Sequence, residues 1–241
     1  MRVAAVIQAR MNSERFPGKV LEKIMGYPMI WHIVERVKRS ITVDQIIVAT
    51  TDKKSDEPLV WECQKMGISV IKGYEEDVLG RYYMASQIVK ADKICRVTAD
   101  NPLIEPVFID MAVARMCYSD EDYIAIDGAP IGTGIEVFKK ELLKFCTQNA
   151  SQDYQREHVT PFIRENSDIF RVSSITAPSD LFFPDLRLTV DTVEDMKLIK
   201  KIYHKLYRSD AIVNLKSTIN LLLEEPEWCR LNSHIQQRSI I

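Results

Sequence analysis

Four short apolar runs, Val3–Ile7, Gln45–Thr50, Ile68–Ile71 and Lys93–Thr98, alternate along the chain with stretches in which apolar residues recur at helical spacing. Met29–Lys38 puts Met29, Ile30, Ile33, Val34 and Val37 on one helix face. Asp56–Met66, stopped by Gly67, and Asp77–Lys90 read the same way. A β-α-β-α-β-α-β order implies a mainly parallel sheet covered by helices on both faces. The regularity breaks after about residue 120. Asp122–Ile126, Ile135–Phe138, Phe170–Thr176 and Leu186–Val190 read as strands, and Lys139–Cys146 and Tyr154–Glu165 as helical pieces. Amphipathic helices follow at Thr192–Tyr207 and Leu215–Glu224. No linker rich in Gly, Ser or Pro and no repeat divides the chain, so the expectation is one α/β domain with a mixed, mostly parallel sheet. Within it the expected parts are 1–120, the more irregular 121–224, and a tail, 225–241.

The bulk numbers narrow the function. With 46% apolar residues among 241, the chain buries a core without disulfides. Lys plus Arg total 32 against 34 for Asp plus Glu, a balance that argues against a nucleic-acid partner. Any cationic site must be local. Five scattered cysteines form no CxxC and no zinc-like spacing with histidine, and read as reduced, mostly buried thiols. The first apolar run is too short for a signal peptide, and nothing approaches the roughly 18 apolar residues of a membrane span. A soluble, cytoplasmic protein is expected.

In parallel sheets of this kind ligands bind where loops leave the carboxyl ends of strands. The loop Gln8–Lys19 after the first run carries Arg10, Arg15 and Lys19, opposed only by Glu14. Guanidinium forks suit phosphate oxygens, and Pro17-Gly18 shape the turn that delivers Lys19. It is not a Walker A loop, because Val20 stands where the metal-binding hydroxyl would be. Three cations on a surface loop can also be merely solvated; position at the end of a buried strand favours a triphosphate site.

Two segments end alike: Arg96-Val-Thr-Ala-Asp100 and Arg187-Leu-Thr-Val-Asp191. Strand alternation points Arg96 and Thr98 to one side and Val97 and Ala99 to the other, with Asp100 at the strand end. If the two strands are neighbours, Asp100 and Asp191 converge, and two carboxylates suit Mg²⁺ beside phosphate oxygens. Helix capping by either aspartate is the alternative.

VIQARMNSERFPGKVL at 6–21 in that loop region, TADNPLI at 98–104 and LTVDTVEDM at 188–196, with DVLGRYYMA at 77–85 and REHVTPFI at 156–163, resemble the cytidylyltransferases that activate sugar acids. The likeness is to the SpsF (spore-coat polysaccharide biosynthesis protein F) type, related to the 3-deoxy-manno-octulosonate and acylneuraminate enzymes, and runs from residue 3 to about 200. It implies a glycosyltransferase-A-like fold of the nucleotide-diphospho-sugar transferases, CTP, Mg²⁺ and a homodimer. Arg10, Arg15 and Lys19 would hold phosphates, and Asp100 and Asp191 the metal. Gln8, Ala9, Thr98, Ala99 and Asp100 would lie at the nucleotide, with Arg81 near the base. Asp77-Val-Leu-Gly80 departs from the octulosonate pattern ahead of that arginine.

For the acceptor, Arg156, Glu157 and His158 are expected in the first turns of a helix interrupted by Pro161, where a helix N-terminus would attract an anion. Glu136 follows Gly132 and Gly134, which permit a ligand to approach the backbone. With Arg187 these are the candidate acceptor contacts, each equally explained as an ordinary surface or strand residue. The reading is transfer of CMP from CTP to an ulosonic-type acid with loss of pyrophosphate, for surface polysaccharide. A nucleotide-sugar-dependent glycosyltransferase, or a catalytically silent nucleotide-binding protein, are the alternatives. The tail Glu225–Ile241, outside the resemblance, reads as a dimer arm or surface helix.

Overall fold

A computed structural model describes residues 1–237 of the chain. The elements run β1 (Val3–Gln8), β2 (Lys23–Ile24), β3 (Tyr27–Pro28), α1 (Met29–Val37), β4 (Gln45–Thr51), α2 (Glu57–Lys65), β5 (Ser69–Gly73), α3 (Val78–Ile88) and β6 (Lys93–Thr98). There follow α4 (Pro106–Tyr118), β7 (Tyr123–Asp127), β8 (Glu136–Lys139), α5 (Leu142–Asn149), α6 (Asp153–His158), α7 (Pro161–Glu165), β9 (Val172–Thr176), α8 (Val193–Leu206) and α9 (Leu215–Glu224). The main sheet has the order β5-β4-β1-β6-β8-β7-β9. All neighbours pair in parallel except around β8, which runs antiparallel to both β6 and β7. The expected α/β domain with a mostly parallel sheet is the one found.

Strand alternation sorts the core. On β1, Val3, Ala5 and Ile7 face a layer built from α1, α2, α4, α8 and α9, while Ala4 and Val6 face α3, α5 and α7. Each fully buried side chain of Ile or Val size contributes about 1.5–3 kcal/mol relative to leaving it in water. A strand buried on both faces in this way gives a continuous apolar run, as VAAVI is.

Two expectations are corrected. Leu186–Val190 is no strand of the sheet. Among the described residues its only ladder contact is an isolated parallel bridge between Arg187 and Ile131. The segment is extended all the same, since Leu188 N donates to Ile131 O at 2.8 Å and Val190 N to Asp100 O at 2.8 Å. It is pinned at both ends to loops, and Arg187 and Thr189 turn their polar groups to local partners instead of a ladder. Second, Tyr154–Glu165 divides into α6 and α7, because Pro161 has no N–H to extend the first helix and starts the second at its first turn. Arg156 and His158 therefore stand in the last turn of α6, where the helix dipole no longer attracts an anion.

Gly132 also has a different use from the one expected. At φ 93°, a Cβ here would lie 2.5 Å from Thr189 N and 2.7 Å from its Cα. The close approach is to the 186–190 segment and not to a ligand. Gly132→Ala should push that segment, and Asp191 beyond it, off the strand ends. We expect a destabilisation of about 2–3 kcal/mol, read from denaturant unfolding; a loss below 0.5 kcal/mol would contradict the contact.

Candidate active site

β1 and β6 are adjacent and in register, with Gln8 opposite Thr98, so the loops that leave them depart side by side. The loop from Ala9 to Gly18 is held at three points. Ala9 N donates to Ala49 O at 3.0 Å, Gly18 N to Met11 O at 2.8 Å, and Met11 N to Asp56 Oδ1 at 2.8 Å. Gly18 is left-handed at φ 75°, which turns the chain so that Lys19 enters the protein.

Lys19 is only 7% exposed. Its Nζ lies 3.1 Å from Asp191 Oδ1 and 3.4 Å from Asp100 Oδ2, and donates to Val190 O at 2.7 Å. The two Arg-x-Thr-x-Asp segments thus bring their carboxylates to one ammonium group, although only one of them ends a sheet strand. Neither aspartate caps a helix: Glu105 caps α4 and Thr192 caps α8. Thr98 Oγ1 donates to Asp100 Oδ1 at 2.6 Å and so orients it. Asp191 Oδ2 receives Arg15 at 3.0 Å and Arg187 at 2.8 Å. Burial would raise the Asp191 pKa, but the Lys19 charge, the hydrogen bonds from Arg187 and Lys19 and the Arg15 charge outweigh it and hold the carboxyl below its ordinary range.

Beside this cluster, Arg10 pairs with Glu75 at 3.4 Å and lies 4.0 Å from Glu157. Arg81 donates through Nη1 to the carbonyls of Tyr74 and Glu75. Arg10 and Arg81 therefore share the Tyr74–Asp77 loop. Two buried polar atoms here lack a hydrogen-bond partner, Gln8 Oε1 and Arg81 Nε. Ala9 and Ala99 are buried at the roots of the two loops. A basic loop after β1 and two convergent carboxylates, one beyond β6 and one beyond the extended 186–190 segment, can hold a polyphosphate and its counter-ion.

The family model described as cytidylyltransferase matches residues 4–237. The chain belongs to the cytidylyltransferase family. It is 37% identical to the spore coat polysaccharide biosynthesis protein SpsF of Bacillus subtilis (strain 168), over 92% of this chain and 94% of that protein. A 3-deoxy-manno-octulosonate cytidylyltransferase of Geobacter metallireducens is 37% identical over 48% of this chain and 45% of its own length. Among solved structures, a cytidylyltransferase from Leptospira borgpetersenii superposes with a TM-score of 0.88 at 27% identity, covering 99% of both chains. Among the described residues, no helix of this cytidylyltransferase is long and apolar enough to cross a membrane.

A cleft of about 590 Å³ is lined by Arg96, Thr98, Asn101, Glu136 and Arg164 together with residues of β7 and β9. Of the expected acceptor residues, only Glu136 reaches it. Its carboxylate takes Arg96 at 2.7 Å, Tyr123 OH at 2.5 Å and Thr160 Oγ1 at 2.9 Å. His158 is half-buried nearby, and burial first, then Arg96, lowers its pKa against the pull of Glu157 and Glu136. Arg156 is committed elsewhere, to Asp77 at 2.6 Å and to the carbonyls of Thr147 and Ala150. Arg187 is also away from the cleft, its guanidinium taken by Asp191 and Asp195. Neither arginine lines the cleft.

Glu136 gives a pH dependence. Burial raises its pKa, but Arg96 and the three hydrogen bonds prevail and the folded value lies below the ordinary 4.5. The stabilisation it supplies is complete above 4.5 and is lost as pH falls through the lower folded value. The melting-point gap between wild type and Glu136→Gln should be widest near neutral pH and close on acidification. A gap that grows below pH 4.5 would contradict the assignment.

The structure adds residues that the sequence reading lacked. Asp56, 1% exposed, accepts from Thr50 Oγ1, Thr51 N, Thr51 Oγ1 and Met11 N, and ties the basic loop to β4. Asp195 holds Arg187 and the turn at Thr192. Arg164 brings a guanidinium to the cleft from α7.

Proposed function

We propose that this cytidylyltransferase moves CMP from CTP to a sugar acid of the ulosonic type and releases pyrophosphate, in the biosynthesis of a surface polysaccharide. One observation carries the reading: Lys19 of the basic loop meets both Asp100 and Asp191, so a loop with three cations lies against a carboxylate pair. The names of the relatives, a polysaccharide biosynthesis protein and an octulosonate cytidylyltransferase, support the acceptor class.

In this reading Arg10, Arg15 and Lys19 exchange their carboxylate partners for triphosphate oxygens. Gln8, Thr98 and Arg81 lie against the nucleoside. The donor set fits Mg²⁺, which takes one or two protein carboxylates and completes its sphere with phosphate oxygens and water. Among the described residues no cluster of three or more such ligands exists, and this chemistry needs only the pair. When bound, the ion would neutralise phosphate charge that Asp100 and Asp191 keep it positioned to meet. The acceptor occupies the cleft, its acid group toward Arg96 and Arg164. Its hydroxyl oxygen bonds to the α-phosphorus as the α–β phosphoanhydride bond breaks, and its proton passes to water. Positioning and charge compensation supply the catalysis, so no covalent nucleophile is required.

The test is pyrophosphate release by purified protein with Mg²⁺, each of the four nucleoside triphosphates and a panel of sugar acids. CTP with a 3-deoxy-2-keto acid should be the productive pair. Preference for a sugar nucleotide over free CTP would favour glycosyl transfer, and tight CTP binding without turnover on any acid a silent binder. A homodimer in the cytoplasm belongs to the same reading; sedimentation as a single chain would remove the dimer.

A further inference from the structure

The tail turns back onto the site. A 3-10 turn over Pro226–Leu231 packs Trp228, Cys229 and Leu231 against the core. Residues 238–241 of the tail lie outside the described residues. Asn232, 3% exposed, then donates its Nδ2 to Asp195 Oδ1 at 2.9 Å and to Arg187 O at 3.2 Å. Gln237 Oε1 accepts from Arg187 Nη1 at 2.6 Å.

These contacts close a ring around one guanidinium. Arg187, 6% exposed, gives Nε to Asp195 Oδ1 at 2.9 Å and Nη2 to Asp195 Oδ2 at 3.0 Å and Asp191 Oδ2 at 2.8 Å. Asp195, fully buried, also accepts from Asp191 N at 2.9 Å and Thr192 N at 3.0 Å. Asp191 is thus fixed at backbone and carboxylate by one connected unit, and two tail residues complete that unit.

The other two cations on Asp191, Arg15 and Lys19, belong to the basic loop. A triphosphate in that loop draws them toward its own oxygens. Arg187 is not free to follow, because its plane is fixed by Asp195 and Gln237. It is the cation that stays and keeps Asp191 aimed at the site while its other partners change.

We propose that Asn232 and Gln237 of the tail are positioning residues for Asp191, acting through Asp195 and Arg187, so that residues 232–237 serve as a strap on the metal-binding end of the site. This rests on the metal role given to Asp191 above. Groups that orient metal ligands typically influence affinity or rate by about 10–100-fold when removed.

The experiment measures free Mn²⁺ by its electron paramagnetic resonance signal in titrations with CTP, for wild type, Asp191→Asn, Asn232→Ala, Gln237→Leu and Gln237→Glu, with melting points alongside. Gln237→Leu and Asn232→Ala should each weaken Mn²⁺ binding by about tenfold. Gln237→Glu, which keeps an acceptor oxygen for Arg187, should restore wild-type binding. Lower melting points with unchanged Mn²⁺ binding in both tail variants would overturn the strap and leave a structural tail. Unchanged binding in Asp191→Asn would overturn the metal role itself. In that event exchange of the Arg187 Nε–H, followed by nuclear magnetic resonance, decides the strap. Faster exchange in Gln237→Leu than in Gln237→Glu supports it, and equal exchange ends it.

Discussion

Asp100→Asn and Asp191→Asn should each lower pyrophosphate release on the order of a thousandfold at saturating CTP, equivalent to about 4 kcal/mol of lost charge compensation in the transition state. Asparagine keeps the size and an acceptor oxygen for Lys19 while losing the negative charge; at position 191 its amide N–H group faces Arg15 and Arg187 in place of an acceptor oxygen, so the melting point is read alongside. A loss below about fivefold in either variant would take that residue out of the metal role. Chelation makes the companion case. EDTA should stop turnover yet leave the melting point in place, because Lys19 already lies between the two carboxylates and offsets their repulsion without any ion. This contrasts with domains whose folding depends on a bound metal. A fall in melting point with EDTA would contradict that role for Lys19.

The second large effect is on stability. Asp56→Ala removes the acceptor for two hydroxyls and two backbone N–H groups at once, in a place closed to water. Leaving these donors unpaired should cost about 3 kcal/mol. For a chain of this length that is roughly 6–12 °C in melting point. The variant that does fold should also show a raised KM for CTP, since Met11 N is released and the basic loop loses its tie to β4. Scanning calorimetry and steady-state kinetics measure the two. A shift under 2 °C would show that water or a neighbouring group replaces the carboxylate.

The parallel half of the fold was legible because its signal is local. VAAVI is buried on both faces, so its composition alone marks it; the apolar alternation of KICRVT marks a strand with one polar face, and helical spacing marks Met29–Lys38. Leu186–Val190 has the same β-branched and apolar content, but whether such a segment joins a ladder depends on what lies beside it. Here Ile131 and Asp100 are its neighbours, and no sequence pattern announces them. In the site, charge density drew attention to Arg10, Arg15 and Lys19, and strand parity to Asp100 and Asp191. Asp56 carries no such mark, because a single acid after Lys54-Ser55 looks like a helix start. Asp195 could have been found, since Thr192-x-x-Asp195 has the spacing of a capping box. For Arg156 and Arg187 the sequence shows only an arginine near a site, which suggests a free cation, and coordinates are needed to reveal that Asp77 and Asp195 pair with them.

Every cation of the basic loop is matched by one of the protein's own carboxylates: Arg10 by Glu75, Arg15 by Asp191, Lys19 by Asp100 and Asp191. In the proposed reading an incoming triphosphate would therefore gain few ion pairs overall, trading places with groups already there. Affinity should weaken with ionic strength less steeply than a count of three cations implies. The same trade works in reverse after the reaction. Pyrophosphate, cut loose from the nucleoside, must hold those side chains against carboxylates that cannot diffuse away. In the proposed reading these carboxylates compete with the product for the loop cations, which would favour product release.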